Sequence, residues 1–158
     1  MAIQQTLEAA RAAATAKDFA RAETLLREAL GAAPDNLSAL DLLGFVLYFL
    51  DRPEEGEQVC RRALELEPDH AYAHKGLGLN MAKRGGDLDE ALGHIRRAIE
   101  LKPDWMDPAW DLVVTLKNAG RLEEAMFELE KALPCFPEFA RRWAALENDL
   151  RRRLQARR

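Results

Sequence analysis

The sequence predicts an all-α solenoid of four antiparallel helix-turn-helix hairpins closed by one further helix. Three observations carry that expectation. First, one phrase recurs: REALGAAPDN at 27–36, RRALELEPDH at 61–70, RRAIELKPDW at 96–105 and EKALPCFPEF at 130–139, its prolines Pro34, Pro68, Pro103 and Pro137 standing 34, 35 and 34 residues apart. Second, the apolar residues before each proline keep a helical spacing. Third, good helix formers (Ala, Leu, Glu, Arg) abound while aromatics make up only 7% of the chain. A period of roughly 20–50 residues marks stacked units, each too small to bury its own apolar face.

The second helix of each hairpin is the clearest element. Leu88, Ala91, Leu92, Ile95, Ala98 and Ile99 fall at offsets 0, 3, 4, 7, 10 and 11, and Leu122, Ala125, Met126, Leu129, Ala132 and Leu133 repeat them. Phe19, Ala22, Leu26, Ala29 and Leu30 match five of the six, with Glu23 at the sixth. This spacing lines one helical face. The proline then stops the helix, because it lacks an N–H and disfavours helical geometry in the residue before it.

A first helix precedes each of these, most legibly at Leu40, Leu43, Gly44 and Leu47, followed by the turn DRP and a new helix near Pro53. The other turns read AKDF, RGGDL and AGRL. Small residues recur where the paired helices should touch: Ala10, Gly44 and Gly78 on the first helix, and Ala22, Gly56 and Ala91 on the second. The last helix places Trp143, Leu146, Leu150 and Leu154 on one stripe and charged residues elsewhere, as expected of a cap.

At these residues the chain resembles the tetratricopeptide repeat family, whose 34-residue pattern runs through an aromatic or Leu, Leu-Gly, paired Ala positions and a final Pro. The resemblance covers nearly the whole chain as one domain over 1–158, with repeats at 3–36, 37–70, 71–105 and 106–139 and a capping helix at 140–158. It implies a right-handed superhelix. Three departures stand out: Ala9–Ala10 replaces Leu-Gly, Gly85–Gly86 adds a residue to one turn, and Val113 stands where a small residue is usual, which should separate the last hairpin slightly.

Composition narrows the function. The net charge is −4, but 140–158 alone carries seven Arg against Glu147 and Asp149, leaving an acidic body that argues against nucleic-acid binding. Cys60 and Cys135 form neither a disulfide framework nor a metal spacing, and Cys60 sits at a core position that suits an inert thiol. No charged-then-apolar leader and no membrane-length apolar run is present, so a cytoplasmic protein is expected, and the Ala/Arg/Leu bias hints at a bacterial source. There is no nucleophile elbow, P-loop or dinucleotide fingerprint, so neither catalysis nor a cofactor is expected. His70 and His74 stand four apart but straddle a proline-bounded turn, so surface or packing roles are expected over metal ligation.

The resemblance implies that a second stripe on each first helix lines the concave surface and contacts ligand peptides. In repeats one and two that stripe reads Gln4, Leu7, Arg11, Ala14, Thr15 and then Ser38, Asp41, Phe45, Tyr48, Phe49. Repeats three and four supply Tyr72, Lys75, Leu79, Ala82, Lys83 and then Asp107, Trp110, Val114, Lys117, Asn118. The segment SALDLLGFVLYFL is therefore apolar on both sides, with Asp41 its only charge, and a helix apolar all round calls for cover. Phe45, Tyr48, Phe49, Tyr72, Leu79, Trp110 and Val114 are expected to form one patch, open to a partner or covered by the chain's own segments. Lys75, Lys83 and Lys117 are either a solvated face or a match for a ligand's carboxylates, with Asn118 as an added donor. The Lys and Asn pairs with which some family members clamp acidic chaperone tails are missing at positions 5 and 9 of three successive repeats, so no such clamp is expected.

The expected function is a protein-interaction module, adaptor or chaperone-like, that holds an apolar or aromatic-containing peptide or helix. The alternatives are a homo-oligomer using the same patch or the cap, and a non-catalytic accessory subunit of an enzyme. The closing arginines complement the dipole of the last helix, or serve as a basic handle for an acidic partner or lipid surface.

Overall fold

The computed structural model describes residues 2–157; Met1 and Arg158, the ends of the expected domain and cap, lie outside the described residues. Nine α-helices follow one another with no strand among the described residues: α1 Ile3–Thr15, α2 Phe19–Ala32, α3 Leu37–Phe49, α4 Pro53–Leu66, α5 Ala71–Lys83, α6 Leu88–Leu101, α7 Met106–Asn118, α8 Leu122–Ala132 and α9 Ala140–Gln155. The first eight pair as hairpins and α9 packs on α8.

Local chemistry explains the boundaries. Asp18, Asn36 and Asp87 each accept the N–H three residues on, at 3.0–3.2 Å, and so cap α2, α3 and α6. Pro53 opens α4, where its missing N–H costs nothing. Each of α1, α3, α5 and α7 ends in the same left-handed turn, at Lys17, Asp51, Gly85 and Gly120 with φ between 59° and 77°. The residue after the turn donates back to the last turn of the helix, as Asp18 does to Ala13 and Arg121 to Leu116. Glycine takes this conformation freely; Lys17 and Asp51 adopt it at a cost of about 1–2 kcal/mol. The added residue at Gly85–Gly86 lengthens the turn and leaves both flanking helices intact.

The fourth hairpin departs from the expected pattern. Sequence periodicity carries its second helix up to Pro137, but Pro134 intervenes. α8 stops at Ala132, 11 residues long against 14 for its counterparts, and Leu133–Cys135 and Pro137–Phe139 form two 3-10 turns. Phe136, between those turns, folds back into the core at 5% exposure.

Consecutive first helices pack on one another, α1 on α3, α3 on α5 and α5 on α7, while consecutive second helices make no comparable contact. The first helices therefore line the inner side of the curve. On the outer side long ion pairs span the gaps instead, Arg27 to Glu55, Arg61 to Glu90 and Arg96 to Glu128. The charged pair in the recurring phrase serves the same end: Arg62 meets Asp35 and Arg97 meets Asp69, each joining one repeat to the turn of the one before.

The core has two large apolar clusters, one across α1–α3 and one across α6–α9. Between them lie two smaller clusters, around Leu40, Ala63 and Ala73 and around Cys60, Leu77, Met81 and Ala91, joined by small and polar groups. Asn80 is fully buried there and donates to the carbonyls of Gly44 and Gly76, at 3.3 and 2.9 Å. Its amide oxygen faces Gly56 and has no hydrogen-bond partner among the described residues. Gly56, expected to ease contact within its own hairpin, thus makes room for the next repeat. Cys60 lies against Gly44 and Gly76, and burial pushes its thiol pKa up to about 12, which leaves it inert.

Candidate functional site

The inner face is where the expected site residues fall, and their ring contacts form three groups instead of a single run. At the N-terminal end Phe49 stacks on Phe19, with centroids 5.0 Å apart and planes 11° from parallel. Phe45 meets both rings, and Tyr48 meets Phe49 edge-on at 5.2 Å. Phe45 remains 42% exposed and Phe49 50%, while Tyr48 is half-buried. Sequence spacing places Phe19 only on the packing face of α2. As the first residue of α2 it borders the same edge as the last residue of α3, a proximity that only stacking creates.

The second group is Tyr72 with Trp105, centroids 4.4 Å apart, beside His70. Lys102 donates to the Tyr72 hydroxyl at 3.0 Å and lies over both rings. Trp105 and Lys102 belong to the inter-repeat turn, outside the stripe that sequence spacing picks out. The third group stands apart from the single patch expected, by cover from the chain's own segment: Trp110 packs on Trp143 of α9 at 5.2 Å, with the Arg142 guanidinium over its ring at 4.2 Å. Trp110, Leu79 and Val114 are partly buried against the C-terminal core, so the chain's own cap closes that end. In repeat one Leu7 and Ala14, placed on the stripe by spacing, are buried in the N-terminal core.

The three lysines are each engaged within the chain. Lys75 reaches Asp111 at 3.2 Å, Lys117 reaches Asp149 at 3.3 Å, and Lys83 pairs with Asp51 at 3.3 Å, donates to the Tyr48 carbonyl and covers the Tyr48 ring. Burial raises the Asp111 carboxyl above its ordinary range, with Lys75 opposing. Asp41 behaves alike: burial raises it, and His70 Nε2 opposes from 2.8–2.9 Å. A carboxylate only accepts, so this contact requires the proton on Nε2 of His70. Asn118 is exposed at the end of α7.

The histidines therefore separate: His70 serves Asp41, and His74 faces His94 with the two Nδ1 atoms 3.0 Å apart. His74 Nε2 lies 2.9 Å from the Pro68 carbonyl and must carry its proton there, so with both rings neutral His94 Nδ1–H donates to His74 Nδ1. His94 is held below the ordinary value of 6.5, first by burial and then by His74. The folded chain thus binds a proton at His94 less readily than the unfolded chain. This contribution to stability is intact above about pH 6.5 and is lost as pH falls below it. The melting temperature, followed from about pH 7.5 to 5, is expected to drop more steeply for the native chain than for His94→Gln. Asp41 and Asp111, raised by burial, act in the opposite sense at lower pH and are common to both proteins. Parallel curves would show that the ring pair contributes nothing. Among the described residues no three His, Cys, Asp or Glu side chains converge as metal ligands.

Stacked helix hairpins with a ring-bearing inner face define a repeat scaffold. The tetratricopeptide repeat profile matches residues 13–78 and 84–150, and the chain belongs to that family. Members of the family are protein-interaction modules. The Drosophila melanogaster protein O-mannosyl-transferase Tmtc2 is 34% identical over 84 residues, which cover 51% of this chain but only 9% of that protein. Among solved structures, YrrB, described as a TPR protein with an unusual peptide-binding site, superposes with a TM-score of 0.71 at 25% identity, over 96% of this chain and 75% of its own. An O-GlcNAc transferase of Thermobaculum terrenum gives 0.77 at 25% identity, over 85% of this chain and 26% of its own. MamA of Desulfovibrio magneticus RS-1 gives 0.72 at 19% identity, over 86% and 76%, a likeness of fold. Among the described residues no helix is long and apolar enough to cross a membrane.

Proposed function

We propose that the chain is a non-catalytic interaction module that holds an apolar or aromatic side chain of a partner peptide or helix at the N-terminal end of its inner face. The observation that carries this reading is the half-exposed pair Phe45 and Phe49, with Phe49 stacked on Phe19 and Phe45 set edge-on to Phe19 and tilted against Phe49. These rings are already fixed against one another, so a partner buries them without first ordering them, and rigid aromatic surface suits a binding hot spot. The peptide-binding description of YrrB agrees with a groove of this kind. The part of the face around Trp110, against Trp143 and Arg142, is left out of the site.

Phe49→Glu places a charge at the centre of the cluster and is expected to weaken partner binding by about tenfold or more, since it desolvates a carboxylate without a partner. Affinity purification from the source cells checks this: proteins retained by the native chain should be lost with the variant. An unchanged set of retained proteins refutes the assignment. Light scattering over a concentration series separates self-association, because a dimer broken by Phe49→Glu would make the partner a second copy. The likeness to repeat segments of two transferases supports a second reading, in which such a module serves an enzyme as its accessory part.

A further inference from the structure

Taking the N-terminal ring cluster as the docking surface proposed above, we infer that its occupant is an extended segment carrying a carboxylate two residues from its apolar anchor, with that carboxylate set against Arg11. The charges of the inner face lead to this. Lys75, Lys83 and Lys117 are neutralised by Asp111, Asp51 and Asp149, and Arg142 is spread over Trp110. Arg11 is different: it is exposed, and among the described residues no carboxylate lies within ion-pair distance of it. Asp41 feels its charge from further off but commits both oxygens to His70.

Arg11 takes the same place on α1 that Phe45 takes on α3, and these two helices pack side by side. Axes of packed helices lie roughly 8–10 Å apart. An extended chain advances about 3.3 Å per residue. An apolar side chain resting on Phe45 and Phe49 therefore brings a carboxylate towards Arg11 when it stands two residues along, about 6.6 Å away on the same side of the strand, with the two side chains spanning the rest. An acidic residue one or three positions from the anchor points to the opposite side of the strand.

The test uses three fluorescein-labelled octapeptides in a Gly-Ser background, read by fluorescence polarisation at low salt. One carries Phe with Asp two residues away, one Phe with Lys at that place, and one Ser in place of Phe with the same Asp. The native chain is expected to bind the Phe/Asp peptide about threefold tighter than the Phe/Lys peptide, in keeping with an exposed ion pair. Arg11→Glu should reverse that order, and Phe49→Ser should abolish binding of both. If Phe/Asp and Phe/Lys peptides bind equally, before and after Arg11→Glu, the acidic preference is overturned while the docking reading stands, provided Phe49→Ser still removes them. If none of the three binds, or if the Ser peptide binds as well as the Phe/Asp peptide, both are overturned.

Discussion

Trp143→Ala is expected to release α9 from the end of the stack while the N-terminal hairpins stay folded. Trp143 is fully buried, packed on Trp110 and sharing a cluster with Leu129, Leu146 and Leu150. Removing such a side chain typically costs about 3–5 kcal/mol. A cap touches only the end of a stack, where stability is a sum of nearest-neighbour terms, so the loss falls on that end. An isolated helix of 16 residues is marginal in water. Hydrogen exchange should show lost protection across Ala140–Gln155, fresh exposure around Trp110, and unchanged protection in α1–α4. Trp143→Phe should cost less than about 1.5 kcal/mol, since most of the packing survives and the indole N–H has no partner among the described residues. Uniform loss of protection would mean that the stack melts as one unit.

Two glycine substitutions in one hairpin should move stability in opposite directions. A Cβ on Gly78 would lie 2.5 Å from the Ala91 carbonyl oxygen and 2.7 Å from Ile95 Cγ1, so α5 and α6 would have to part. Overpacking costs about 1–3 kcal/mol, here at the upper end because backbone is in the way. The better helix propensity of Ala returns about 1 kcal/mol. Gly78→Ala should therefore lower stability by about 2 kcal/mol and the melting temperature by about 4–8 °C. Gly93, in the middle of α6, has open space around it, with nothing within 4 Å of where a methyl would stand, so Gly93→Ala should keep the propensity gain of about 0.5–1 kcal/mol. Calorimetry of the two variants decides the point. A stabilised Gly78→Ala would show that the close approach of α5 and α6 is not needed.

The helices are legible in the sequence because they rest on local signals: a 3.6-residue apolar period, and prolines at the ends. The misplaced end of α8 has the same origin. Aligning the repeats on Pro137 hides a second helix breaker, Pro134, three residues earlier, and the backbone obeys the first one it meets. Of the site residues, Phe45, Tyr48, Phe49 and Tyr72 fall on the inner face from stripe positions alone. Phe19 and Trp105 do not, because they lie at helix starts and in turns, outside any periodic stripe. Phe19 borders the stripe of the next repeat and Trp105 that of its own, at Tyr72, which is the signal that would have found them.

By itself the sequence determined the number, order and approximate ends of the helices, and that they stack, because each of those follows from interactions within about one turn and from a repeat too short to bury itself. Only the tertiary structure decided which inner-face residues stay free. Trp110 is closed off by α9, Lys75, Lys83 and Lys117 are taken by carboxylates beyond their own helices, and Leu7 sinks into the core, while Phe45, Phe49 and Arg11 are left uncovered. The reason is range: a side chain's period states which way it points, but its availability depends on what neighbouring repeats bring against it.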